Sequence, residues 1–413
     1  MSPVHESLNA NLLIRHATVL DPVTGKYSEH DVRISDGVVV ETGAKLTAPD
    51  DVRTLDAGGR YVLPGLIDAH VHVTAATADL GSLTSWSPSY VAFQAGRLMS
   101  DMLDRGFTTV RDCSGADFGL HDAQAEGLLR GPRLFFCGKA LSQTGGHGDS
   151  RPRGASVSDS HQCCAGLGRV ADGVDAVRAA ARDELRKGAH HIKVMGSGGV
   201  ASPTDRVDST QYSMDELRAI VDEAEAANRY VTAHAYTARA VNRALRAGIR
   251  GIEHGNLIDD ESISLLTEHE AFLVPTLVTY WSLQREGREF GLPQDSWEKV
   301  SEVLDAGLRG LELAARGTVN IAYGTDLLGG MQRHQSREFQ IRADVQPAID
   351  VIRSATVNAA DLLQRTGELG VLRPGAHGDA LIVDDDPLDN ISVLAEGRID
   401  TVIQGGSVVA ERR

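Results

Sequence analysis

The sequence predicts an α/β fold, a (β/α)8 TIM barrel carrying a small β-sandwich built from both chain ends. Three observations predict it. Between Leu63 and about Ala360, eight short apolar runs each precede a stretch with helical spacing. Both ends of the chain instead alternate apolar and polar residues, with turn signals between. Metal-capable side chains fall at the C-terminal ends of the apolar runs, where a barrel gathers its chemistry.

The elements follow in order. From residue 11 to 62, Leu12 and Ile14, Val32 and Ile34, and Val38 and Val40 alternate with other residues, and Asp36-Gly37 between two of these runs marks a tight hairpin. The tail repeats this texture in GDALIVDDDP and DTVIQGGSVVAE. Residues 1–62 plus 365–413 are therefore expected to form one β-rich domain beside a barrel of residues 63–364. The barrel runs are LPGLIDAHVHV, FTTVRDCSG, PRLFFCGKAL, HHIKVMGSGG, YVTAHAYT, GIRGIEHGN, AFLVPTLVTY and VNIAYGTDLL. In one helix Ser213 and Glu216 make a capping box, and Leu217, Ile220, Val221 and Ala224 line the face that packs on the barrel. Gly106, Gly188, Gly248 and Gly317 stand where helices end and a left-handed residue is needed. Residues 142–171 are too long for a connector, and a long loop after a barrel strand covers the substrate.

Composition bounds the function. The 413 residues are 42% hydrophobic and 24% charged, with 43 glycines, which suits a folded globular chain. The formal charge of −16, from 57 acidic against 41 basic residues, argues against a nucleic-acid or anionic-membrane partner. The first residues lack a basic segment followed by an apolar one, and no later apolar run is long enough to cross a bilayer, so a cytoplasmic location is expected. Cys113, Cys137, Cys163 and Cys164 give no disulfide framework.

Six metal-capable residues fall at strand ends. His70 and His72 close the first run, and residues two apart on a strand share a face. Lys193, His234, His254 and Asp326 follow in the fourth, fifth, sixth and eighth runs. A single histidine there is ordinarily a hydrogen-bonded core residue, but coincidence across five strand ends points to a metal centre. His190 and His191 read as packing residues, because one alternates outward and the other lies deeper than Lys193. The acidic run Asp384-Asp385-Asp386 before Pro387 reads as a solvated turn.

These residues resemble the amidohydrolase superfamily over nearly the whole chain: the His-x-His of LIDAHVHV, the lysine of HIKVMGSGG, the histidines of VTAHAYT and GIEHGN, and the aspartate of AYGTDLL. TGGHGD, ASPTD and GELGVLRPGAHGDALIVDDDPL resemble its imidazolonepropionase-like and prolidase-like branch, which includes dipeptidases and carboxypeptidases. The resemblance implies two divalent metal ions, the more buried held by His70, His72 and Asp326 and the other by His234 and His254. Lys193 would bridge them as N6-carboxylysine, since an ammonium cannot bind a cation. Zinc leads by ligand type, and mixed nitrogen and oxygen ligation also suits manganese, cobalt or iron. Such ions acidify a bridging water and polarise a carbonyl, with Asp326 as general base and then acid.

His147, in TGGHGD, is the best remaining histidine to hydrogen-bond an oxyanion. Tyr236 lies two residues after His234, and by resemblance it would bind a substrate carboxylate, a task Arg151 and Arg153 could share. Gly196, Gly198 and Gly199 after Lys193 lack the rest of a phosphate loop and are expected to let the backbone pass close to substrate. The expected reaction is hydrolysis of an amide bond in a small, dipeptide-like substrate with a free carboxylate. N-acyl amino acids, aryl amides or carbamates, including xenobiotics and mycotoxins, stand as alternatives, as does opening of a cyclic amide or imidazolone. Loop side chains decide among them. The resemblance also implies a homo-oligomer, with an octamer as the suggested size.

Overall fold

The computed structural model describes residues 11–412 apart from 48, 50–51, 152–164, 201–204, 293 and 396. Its centre is a TIM-barrel-like array of parallel strands: β1 (Leu66–Val71), β2 (Phe107–Asp112), β3 (Arg133–Phe136), β4 (Ile192–Met195), β5 (Val231–Thr237), β6 (Gly251–Leu257), β7 (Phe272–Val274) and β8 (Asn320–Ile321). β1 to β3 form one ladder and β4 to β8 lie in another. Backbone bonds cross both remaining seams. The His190 amide donates to Phe136 O at 2.8 Å between β3 and β4, and the Ala69 amide donates to Tyr323 O at 2.8 Å between β1 and the residues after β8. Helices pack outside, and the strands carry fully buried residues because they are covered on both faces.

Both chain ends meet in one eight-stranded sheet. Tyr61–Pro64 pairs antiparallel with Ala380–Val383, which joins the N-terminal strands to the C-terminal ones. The Asp36-Gly37 hairpin is present, with both residues at positive φ (50° and 79°) as a two-residue turn requires. Leu12, Ile14, Val32, Ile34, Ala380 and Ile382 form the core of this sheet.

The Ser213 capping box forms as expected, and Gly106, Gly188 and Gly248 take φ of 89°, 94° and 95°. Gly317 does not. The left-handed residue after that helix is Thr318 (φ 55°), and Gly317 is small because a Cβ there would lie 2.3 Å from Ile263 Cγ2. AFLVPTLVTY also divides: the strand stops at Val274, and a helix starts at Leu277, beyond Pro275. Cys113 and Cys137 are buried free thiols, while Cys163 and Cys164 lie outside the described residues. The acidic run is a set of surface partners, with Asp384 and Asp385 facing Arg60 and Arg398 and Asp386 accepting from Tyr27. Among the described residues no helix is long and apolar enough to cross a membrane.

Candidate active site

His70 and His72 reach the barrel mouth from β1 and its end, Lys193 from β4, His234 from β5 and His254 from β6; Asp326 lies on the irregular segment after β8. All six line one cavity of about 540 Å³. His72 Nε2 is 2.9 Å and His70 Nε2 3.3 Å from Asp326 Oδ1, and His254 Nε2 is 4.0 Å from Asp326 Oδ2. The His234 ring stands edge-on to His254 at 4.6 Å. His254 (φ 78°), Asp326 (φ 51°) and Thr276 (φ 47°) are all left-handed without being glycine, so backbone strain gathers at this mouth.

Three imidazoles are held from behind. His70 Nδ1 meets Glu253 Oε2 at 2.7 Å, His72 Nδ1 meets Ser114 O at 3.0 Å, and His254 Nδ1 meets Thr276 Oγ1 at 2.7 Å. A ring fixed through Nδ1 presents Nε2 to the centre, as a metal-binding histidine does. Glu253 is itself held by Arg111 Nη2 at 2.6 Å and by Thr232.

The electrostatics suit a cation. Burial works to raise the Asp326 carboxyl, but His70 and His72 hold it well below the usual range. Burial drives His234 and His254 well below the ordinary imidazole value, so both are neutral and have a lone pair to give. Lys193 is 2% exposed, and its Nζ has no hydrogen-bond partner. A buried amine without a partner is costly. The ligand atoms of His70, His72 and Asp326 lie within 4.8 Å of one another, a spacing one divalent ion fits.

Around this centre, His147 stacks on His234 with ring centres 4.2 Å apart. The backbone amide of His147 donates to Gln211 Oε1 at 2.9 Å, and its Nδ1 is 3.7 Å from Asp205 Oδ2. Tyr236 Oη accepts from Tyr280 Oη at 3.1 Å, so its own proton remains to be donated. Both tyrosines line the cavity beside Leu167, Val200, Leu283 and Leu328.

Two expectations change. The Arg151 guanidinium lies on Asp149, with Nε 2.6 Å from Oδ1 and Nη2 2.5 Å from Oδ2, and Arg151 does not line the cavity. Arg153 lies outside the described residues. Gly198 and Gly199 make room for the protein's own groups: a Cβ would meet Arg206 O at 1.9 Å and His147 Cε1 at 2.1 Å respectively. His191 is fully buried and stacks on Tyr230, and His190 packs against His121 and Phe136, as packing residues should.

Tyr280, Thr276 and Glu253 are site residues that sequence reasoning missed. The first two stand in a run read as one strand. Glu253 did carry a signal, as a charged residue inside an apolar strand run, directly before a histidine.

Comparison with known proteins gives one consistent result. The family model described as "Amidohydrolase family" matches residues 61–409. The chain is 31% identical over 417 residues to ochratoxinase of Aspergillus niger, covering 97% of this chain and 87% of that protein. Among solved structures, a prolidase complexed with N-methylphosphonate-L-proline is 47% identical with a TM-score of 0.95, covering 98% of this chain and 100% of that one. A Xaa-Pro dipeptidase with bound methionine is 28% identical with a TM-score of 0.86, covering 97% and 99%.

Proposed function

The chain belongs to the amidohydrolase family and is a hydrolase acting on amide bonds, and from that premise we propose that it is a binuclear dipeptidase cleaving the bond before a carboxyl-terminal residue, with L-proline as the leading leaving group. One observation carries the peptide reading: the likeness, at 47% identity over 98% of the chain, to a prolidase. In this reading the chain is a closed barrel with a sandwich of both chain ends beside it, and the barrel mouth would house two divalent ions, zinc first among them. His70, His72 and Asp326 hold one, His234 and His254 the other, and Lys193 serves both as its carbamate. When bound, such ions acidify water and polarise the scissile carbonyl.

The side chains divide the remaining work. Asp326 takes the proton of the attacking water and returns it to the departing nitrogen, as general base and then acid. His147 donates to the oxyanion of the tetrahedral intermediate. The free O–H of Tyr236 donates to the substrate carboxylate, and Tyr280 fixes its direction. The apolar wall excludes water and takes the other side chain. Assay of the metal-loaded chain on Xaa-Pro, Xaa-Ala and Xaa-Met dipeptides is expected to show turnover with Xaa-Pro foremost. Absence of dipeptide turnover in a preparation that cleaves another amide would sink it.

The second reading keeps the machinery and changes the acyl side to an aryl or N-acyl group. It is favoured by the 31% identity to ochratoxinase across 97% of the chain and by the apolar cavity wall. Aryl-acyl amino acids added to the same panel distinguish the two.

A further inference from the structure

The helix Leu277–Glu286 carries Thr279, Tyr280 and Leu283 on the cavity wall, and its start is unusual. Its cap residue, Thr276, is left-handed and makes no capping hydrogen bond, because its hydroxyl is committed to His254 Nδ1 at 2.7 Å. The first amides of a helix need acceptors, and a buried first turn without them would be costly. Glu338 supplies one from 60 residues away. Its Oε2 accepts from the Val278 amide at 2.7 Å.

Packing alone does not account for this glutamate. Glu338 is fully buried, its Oε1 has no partner, and Arg342 one turn later is also fully buried with Nη1 unpartnered. A side chain tolerated at such a cost, with its hydrogen bond on the helix that presents Tyr280, acts through that helix.

We propose that Glu338 is a positioning residue: by capping the helix Leu277–Glu286 from outside, it fixes where Tyr280 stands and so sets the Tyr236–Tyr280 pair that grips the substrate carboxylate. This rests on the dipeptidase reading for the identity of the gripped group. Nothing in it requires Glu338 to touch substrate. The side chain offers a fixed acceptor where the helix dipole is positive, and a rigid first turn holds a side chain on the second.

The test compares Glu338→Ala and Glu338→Gln with the wild-type metal-loaded protein, on a dipeptide with a free carboxylate and on the same dipeptide as its C-terminal amide. Hydrogen exchange at residues 277–280 is measured by mass spectrometry alongside. Glu338→Ala is expected to raise KM for the free acid about tenfold while changing kcat/KM for the amide less than about twofold, and to speed exchange in the first turn. Glu338→Gln keeps an acceptor oxygen and is expected to restore both. Combined with Tyr280→Phe, Glu338→Ala should add little to KM beyond the Tyr280 change. Unchanged exchange in Glu338→Ala, or an equal loss on acid and amide, would overturn the proposal. If the wild type itself does not distinguish acid from amide, the carboxylate reading fails, and the exchange measurement alone decides the role of Glu338.

Discussion

Lys193 shows most sharply what a single residue implies at this site. Its amine is buried at 2% exposure without a hydrogen-bond partner, in a chain with 57 acidic residues to pair with elsewhere. A charged ammonium there has no hydrogen bond to offset its desolvation. Conversion to a carbamate would turn the same side chain from a cation into an oxygen donor in the cavity that His70, His234 and His254 also line. Lys193→Ala is therefore expected to fold, since it removes a strained group, yet to lose metal. Elemental analysis after dialysis should show about two ions per chain in the wild type and one or fewer in the variant. Two ions retained by Lys193→Ala would remove the bridging role.

At the scale of an element, the segment after β4 shows how a loop can serve a catalytic side chain without touching substrate. A Cβ on Gly199 would sit 2.1 Å from His147 Cε1 and 2.5 Å from both ring nitrogens, so the imidazole occupies the space a side chain would need. Gly199→Ala must push the ring off its stack with His234. The expected outcome is a fall in kcat of roughly 100- to 1000-fold, the range for loss of one oxyanion donor, with little change in melting temperature. An unchanged kcat would remove His147 from the mechanism. The same scale explains what could be read in advance. His70, His72, Lys193, His234 and His254 were legible because strand alternation and strand ends fix where they point. Tyr280 and Thr276 were not, because AFLVPTLVTY is mostly apolar and its few polar residues give no period to separate strand from helix. Pro275 was the only mark of the break. Glu338 was out of reach altogether, since its cap joins residues 60 apart. Arg151 departs for the converse reason: its guanidinium reads as able to share a substrate carboxylate, and Asp149 two residues away takes it.

Across the whole molecule, the sheet made by the chain ends and the barrel share one core. Leu381, Val383 and Val402 from the tail pack in the same cluster as Met99, Met102, Leu103 and Phe107 from the first helix and second strand of the barrel. Gly106 sits in that seam, where a Cβ would meet Ile399 Cδ1 at 2.7 Å and Leu381 at 3.2 Å. Polar ties cross it as well: Arg133 Nη1 donates to Asp379 at 2.9 Å, and Gln404 Nε2 donates to Thr108 O at 2.9 Å. Units joined through a continuous apolar core lose stability together, unlike units joined by a linker. Calorimetry is thus expected to show one unfolding transition for the chain. Leu381 is fully buried in the shared cluster, so Leu381→Ala should cost about 2–5 kcal/mol and lower that single transition by roughly 2–6 °C in a chain of this length. The sheet that Tyr61–Pro64 joins together and the barrel that carries His70 would then melt at one temperature. Two resolved transitions, only one of them moved by Leu381→Ala, would show instead that the sheet and the barrel fold as separate units despite their common core.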